Sequence, residues 1–336
     1  MTLVAASDNN IVWSGAISLE HIDNHVKPWR IPYTEQDLYS PLDESLSKPA
    51  EMPSGVRLRF SSHTSFLILH IQELKEPAKF DLYTNDSLHA VVDCCAGQTE
   101  VHFKDLPDEI TVFEIWLSHS TPVSLRSITT SENAKIIRVD DKRPRWITYG
   151  SSISHCRSAY SPSHTWPAIV ARTRNLNLTS LGFGGQCHAD PMIARLIRDS
   201  PADFISTKIG INIYGGSSLT QRTFRPAVIG TIATIRDGHP NTPFIVCSPI
   251  WGHNRETEQN SAGMTLKAMR IEIQAAVESF QNRGDNNIHY VDGLKLFDES
   301  LSRYLPDNLH PNSKGYEIMA ERFIHEVFET RNIIVS

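Results

Sequence analysis

Cysteine is scarce in this chain. There are five among 336 residues: Cys94, Cys95, Cys156, Cys187 and Cys247. The number is odd, the first two are adjacent, and no C-x-x-C pair occurs. That excludes a disulfide framework or a cysteine-held metal site and favours a reducing compartment. Long apolar runs are missing too. No stretch approaches the roughly 18–20 residues that span a bilayer, so a membrane span is not expected. The first residues, Met1-Thr2-Leu3-Val4-Ala5-Ala6-Ser7-Asp8, lack a basic segment followed by a long apolar one. No secretory signal is read there, and a cytoplasmic location is the expectation. Neither sign of charge dominates: 32 Lys and Arg against 38 Asp and Glu leave −6. So mild an imbalance makes no electrostatic case for nucleic acid or anionic lipid as a partner.

What is present suits a folded chain. Hydrophobic residues at 40% and charged ones at 21% supply a core and a solvated surface. At about 150 residues per domain, the length allows two domains or one large one. The pattern changes near residues 140–145. Before it, short β-branched and aromatic runs recur at Val56 to Phe60, Ser65 to Ile71, Leu88 to Asp93 and Thr111 to Leu117. Pro, Gly, Asn and Asp separate them, and no helical period stands out. This spacing predicts an antiparallel, jelly-roll-like β-sandwich over residues 1–142. Asp140-Asp141-Lys142-Arg143-Pro144 reads as a linker.

Residues 143–336 alternate strands with longer helical patterns. Strands are predicted at Trp146 to Tyr149, Leu176 to Leu181, Phe204 to Lys208, Phe244 to Cys247 and Ile288 to Val291. Helices are predicted after Thr165, a candidate cap with Pro167 in the first turn, and over Ala189 to Arg198, Arg225 to Arg236, Met264 to Asn282 and Ser313 to Glu329. Five β-then-α units predict an α/β fold: a three-layer αβα arrangement on a five-stranded parallel sheet.

In such sheets ligands bind beyond the carboxyl ends of the strands. The segments that follow the strands therefore carry the chemistry. They are Gly150-Ser151-Ser152, Gly182-Phe183-Gly184-Gly185 and Gly210-Ile211-Asn212; Asp307-Asn308-Leu309-His310 precedes the last helix. A serine hydroxyl needs an adjacent base, histidine is the usual one, and a carboxylate fixes the imidazole tautomer. Charge on a carbonyl oxygen needs preset donors, which a glycine N–H and an Asn amide supply.

These four segments, in this order, resemble the SGNH (GDSL-type) hydrolases, over about residues 145–330. The resemblance implies an SGNH/flavodoxin-like fold, a catalytic triad of Ser152, Asp307 and His310, and an oxyanion hole of Ser152, Gly185 and Asn212. Ser151 stands where the family's first block has aspartate. The first domain is similar to the β-rich domain of the Gly-x-Asp-Leu-Tyr type, through Asp81-Leu82-Tyr83, with Lys79 in place of the glycine. The implied activity is a serine esterase acting on a small O-acyl ester, of a sugar or another metabolite, through an acyl-enzyme. It needs no metal or organic cofactor. An acyltransferase using the same residues is the nearest alternative. A second is a carbohydrate-binding protein with an inactive hydrolase domain, using Trp13, Trp29, Tyr33 or Tyr39 to stack on sugars.

Other residues have plainer readings. His21 and His25, with Asp23 between them, lack the glutamate of a metalloprotease helix and read as surface residues. His155, His164 and His188 are candidates for pocket walls, without metal-ligand spacing. Cys187 reads as a small buried residue. Trp251, His253, Asn254, Arg255 and Glu256 form either a lid or substrate wall, or a solvated loop, and Tyr214-Gly215-Gly216 is a further wall candidate.

Overall fold

The computed structural model describes residues 1–43 and 45–335. Two compact units emerge. One comprises Met1–Arg143 with Tyr160–Ser163 and Asn177–Ser180; the other comprises Pro144–Ala159, His164–Leu176 and Leu181–Ser336.

The described residues of the first unit hold eleven strands: β1 (Thr2–Ala5), β2 (Val12–Ser14), β3 (Ser18–Ile22), β4 (His25–Trp29), β5 (Arg57–Ser62), β6 (Leu67–Ile71), β7 (Ala78–Thr84), β8 (Ser87–Cys94), β9 (Glu100–Phe103), β10 (Thr111–Trp116) and β11 (Leu125–Thr130). One sheet runs β3-β4-β11-β6-β9, with β1 also paired to β11; the other runs β2-β5-β10-β7-β8. Every pairing described in them is antiparallel, as the short alternating runs predict. Alternate residues face inward. Leu58 and Phe60, Leu67 and Leu69, Phe80 and Leu82, and Phe113 and Ile115 join one buried cluster drawn from both sheets. Among the described residues of this stretch, the only α-helices are single turns, α1 (Gln36–Tyr39) and α2 (Ser47–Ala50). His21 and His25 sit on the facing strands of a hairpin, not on a helix face, because Asp23 turns the chain at φ 52°.

A buried charge cluster lies in this unit. Glu114 accepts from Arg59 at 2.9 Å and from Arg143 at 2.5 Å. Asp141 accepts from Arg143 at 2.6 Å and lies 3.6 Å from Arg57. Arg57 also stacks over Trp116, its guanidinium carbon 4.9 Å from the ring centroid. Burial pushes the Arg57 guanidinium down to about 10. Burial pushes the Asp141 carboxyl up, but hydrogen bonding and charge from Arg143 and Arg57 outweigh it, and it lies below its ordinary value.

The five-stranded sheet is β12 (Arg145–Gly150), β13 (Asn177–Gly182), β14 (Phe204–Lys208), β15 (Phe244–Cys247) and β16 (Ile288–Val291), in the order β13-β12-β14-β15-β16. The five strands run parallel, as expected. The second unit's principal helices are α4 (Trp166–Thr173), α5 (Pro191–Asp199), α7 (Gln221–Gly238), α8 (Leu266–Gln281) and α10 (Ser313–Ile324). Thr165 caps α4 by accepting from Ala168 N, with Pro167 in the first turn. On one face Trp146 stacks with Phe323 at 5.7 Å between centroids, and Phe204 meets Phe328 at 5.4 Å. That aromatic layer locks α10 against the strands.

The predicted elements agree within a few residues except where proline misleads. α7 begins at Gln221 rather than Arg225, on a Thr220–Thr223 capping box, and carries Pro226 inside it. Proline marks helix starts so strongly that the turn before it reads as loop. Three one- or two-turn helices have no period long enough to see: α3 (Ser152–His155), α6 (Ile211–Gly216) and α9 (Gly293–Leu296). Two of them carry candidate site residues.

Candidate active site

Strand register brings the polar segments to one end of the sheet. Gly150 pairs with Lys208, and Lys208 with Cys247, so these strands end in line. Ser152 is the first residue of α3, immediately beyond β12. Ser151 caps that helix, its hydroxyl accepting from Ile153 N at 3.2 Å. Serine and aspartate are comparable caps. The departure from the family's aspartate therefore keeps the turn and removes a charge beside the nucleophile position. A Cβ on Gly182 would lie 2.4 Å from His155 N, so a glycine at the end of β13 lets α3 seat closely.

The Ser152 hydroxyl lies 2.8 Å from His310 Nε2. His310 Nδ1 lies 2.6 Å from Asp307 Oδ2, while Asp307 Oδ1 accepts the backbone N–H groups of His310 at 2.7 Å and Leu309 at 3.0 Å. A carboxylate only accepts, so Nδ1 carries the hydrogen and Nε2 is free to take one from serine. Desolvation pushes the Asp307 carboxyl up, but the hydrogen bonds from His310 and Leu309 outweigh it and hold it below its ordinary value. Its side chain is 54% exposed, so solvent screens this charge.

Asn212 sits in α6 after Gly210, whose φ of +134° and whose approach to Pro249 (2.4 Å from an added Cβ) admit no side chain. Asn212 Oδ1 accepts from Cys187 N at 3.0 Å, which leaves its NH₂ as the uncommitted donor. Gly185 turns at φ +76°. Among the described residues, neither the Gly185 nor the Ser152 N–H donates to a protein acceptor. A hydrogen-bonded Ser-His-Asp chain thus forms between two segments far apart in the sequence, and Cys187 N ties the segment that follows Gly185 to Asn212.

The remaining candidates divide. Cys187 is fully buried with its thiol on Lys208 O at 3.7 Å, and burial pushes that thiol up to about 12, so it is a packing residue. His155 is 1% exposed and does not line an open wall, while His164 is half-buried. His188 hydrogen-bonds through both ring nitrogens, to Gly185 O and to Ser218 Oγ. Trp29 and Tyr39 are buried, and the Trp29 indole donates to Glu20, so neither offers a free face to a sugar. Their apolar area is drawn into the core, as hydrophobic burial dictates.

The loop after β15 is stapled rather than merely solvated. Buried Arg270 holds Glu256 through two nitrogens and donates to Pro249 O and Ile250 O. Arg255 donates to Asn308 O at 3.2 Å, inside the Asp307–His310 turn. Tyr214, two residues after Asn212, donates to Glu258 O, and Asn260 donates to Tyr214 O. Sequence reasoning missed Arg270 and Asn260. Their partners lie in other segments, and no local spacing announces them. Among the described residues no group of three or more His, Cys, Asp or Glu is arranged to hold a metal, and no helix is long and apolar enough to cross a membrane.

A parallel five-stranded αβα sheet, with such segments at its strand ends, defines the class as SGNH hydrolase. The GDSL-like lipase/acylhydrolase family model matches residues 143–327, and the chain belongs to that family. A second family model, the SsfX3 N-terminal domain, matches residues 11–126. Among solved structures, the salicylyl-acyltransferase SsfX3 from a tetracycline biosynthetic pathway is 30% identical, with a TM-score of 0.91 over 100% of this chain and 99% of that one. A family two carbohydrate esterase from Clostridium thermocellum, in complex with cellohexaose, is 14% identical, with a TM-score of 0.69 over 96% and 99%. Another from Cellvibrio japonicus is 14% identical, with a TM-score of 0.65 over 98% and 97%. At such identities the esterases show the fold alone. No curated protein sequence matches the chain.

Proposed function

We propose that this chain is a serine acyl-transfer enzyme that passes an acyl group from a small ester through Ser152. The observation that carries this reading is the hydrogen-bonded chain from Ser152 to His310 to Asp307. His310 Nε2 takes the Ser152 proton as Oγ bonds to the ester carbonyl carbon, and the π pair moves onto the carbonyl oxygen. The Ser152 N–H, the Gly185 N–H and the Asn212 NH₂ stabilise that oxyanion. On collapse the ester C–O bond breaks, the leaving alcohol takes the proton from His310, and the acyl group stays on Ser152. Water then repeats the sequence, with His310 as base and then acid, and releases the carboxylic acid. Asp307 holds the imidazole tautomer throughout. None of these steps calls on a metal or an organic cofactor.

Hydrolysis of an O-acyl ester, of a sugar or another small metabolite, is the first reading. The carbohydrate esterases of the same fold are consistent with it. Transfer to an alcohol acceptor is the second, favoured by the 30% identity with a salicylyl-acyltransferase along the whole chain. Both use every residue named here. A binding protein with an inert second domain has less support, because the Ser152–His310 hydrogen bond is intact.

Ester cleavage by the wild type and by Ser152→Ala tests the shared step. Loss of about 10⁴-fold or more in turnover is expected, and equal rates overturn it. Product analysis with a competing alcohol then separates hydrolysis from transfer. A chain-length series of aryl esters sizes the acyl side.

A further inference from the structure

Gly185 is an unusual residue on which to hang an oxyanion donor. It is exposed, it sits at φ +76°, and nothing lies within 4 Å of where a Cβ would be, so packing does not hold it. Glycine left to itself samples both signs of φ, and a donor on it is poorly preorganised. What holds the turn is hydrogen bonding. Gln186 N donates to Phe183 O at 3.1 Å, and His188 Nε2 lies 3.0 Å from Gly185 O. A carbonyl oxygen only accepts, so Nε2 carries the hydrogen. In the neutral ring Nδ1 then accepts from Ser218 Oγ at 2.8 Å.

Ser218 lies two residues beyond α6, the helix of Asn212. A Cβ on Gly216 would come 3.0 Å from His188 Cε1, so the ring is wedged against that helix. His188 itself is tethered, its N–H donating to Asp190 Oδ2 at 3.1 Å, the same oxygen that accepts the buried Tyr149 hydroxyl at 2.9 Å.

We infer that His188 is the positioning residue of the oxyanion hole: one imidazole ties the Gly185 turn to the Asn212 helix and sets the direction of the Gly185 N–H. The inference rests on the acyl-enzyme reading. His188 touches no reacting atom; it acts by fixing donors. It narrows the geometry of the transition state more than that of the ground state, so its loss lowers kcat and leaves KM nearly unchanged.

The test compares wild type, His188→Met, which fills the space without a donor, and His188→Gln, whose amide NH₂ reaches as far as Nε2. Each is assayed for kcat and KM on an aryl ester and for the rate at which a fluorophosphonate labels Ser152, followed by intact mass. For His188→Met, kcat and the labelling rate are expected to fall about 10- to 100-fold, below the 10²–10³ seen when a donor is removed outright. Its KM stays within about twofold, and His188→Gln recovers most of the loss. The inference is overturned if His188→Met keeps kcat within about twofold, if the loss appears in KM, or if His188→Gln falls as far as His188→Met. Wild type that cleaves no ester and is not labelled at Ser152 overturns the acyl-enzyme reading, and this inference with it. Labelled Ser152 with an unaffected His188→Met overturns only the latter.

Discussion

The amide oxygen of Asn212 is spent on Cys187 N, which leaves its nitrogen as the donor that the proposed mechanism assigns to the oxyanion. Asn212→Asp keeps the acceptor and deletes the donor. We expect it to lower kcat by about 10²–10³ with little change in KM, as Asn212→Ala does, and steady-state kinetics on one aryl ester checks both. If Asn212→Asp retains wild-type kcat, the side chain is structural only. Ser151 illustrates the opposite economy. It replaces an acid in the family's first block, yet caps α3 as an acid would. The change therefore alters charge beside Ser152 without altering the turn that presents it.

Short elements do the positioning. α3 and α6, of four and six residues, carry Ser152 and Asn212, and each is joined to a strand through glycine or a cap instead of a flexible connection. The loop after β15 is the third such element. Its order comes from Arg270, whose side chain is 7% exposed and which satisfies Glu256 and two backbone carbonyls. Arg270→Ala leaves those groups unpaired and is expected to cost about 3 kcal/mol, read as a lower urea midpoint at unchanged slope. Arg270→Lys keeps the charge but not the fork, so it recovers only part. An unchanged midpoint in Arg270→Ala would mean that the loop owes its shape to something else. Because Arg255 in the same loop reaches Asn308 O, loosening it is felt at the Asp307–His310 turn as well.

Across the molecule, stability against acid is set in part by the buried cluster in the β-sandwich unit. Asp141 has a folded value below its ordinary 3.8 because Arg143 and Arg57 outweigh the cost of its burial. A depressed folded pKa means that the unfolded chain binds the proton first. The Asp141 contribution is therefore complete above about pH 5 and is lost as pH falls below about 4 and through the folded value. Asp141→Asn is thus expected to be less stable than wild type at pH 7, with the gap closing towards pH 3. Equilibrium unfolding at several pH values reads this directly, and a gap independent of pH would assign the cluster's stability to packing alone. No opposite trend arises from Arg57, which stays charged through this range even though burial brings it down to about 10.

The order of Ser152, Gly185, Asn212, Asp307 and His310, each just beyond a strand or before the last helix, was legible in the chain. So were the five parallel strands and most helix limits, because strand and helix periods, caps and turn residues act over a few neighbours. The β-sandwich was legible as a class, but its pairing was not, since antiparallel register depends on which distant strands meet. His21 and His25 were read as surface residues, but the hairpin that carries them was not legible, because four residues span a helical turn or a hairpin equally well. What folding alone decided is the meeting of Ser152 and His310, 158 residues apart in the chain and 2.8 Å apart in space. Folding likewise set the ties of His188, Arg255 and Arg270 to other segments. Such contacts follow from strand order and from which loops share an edge of the sheet, and local sequence carries no measure of either.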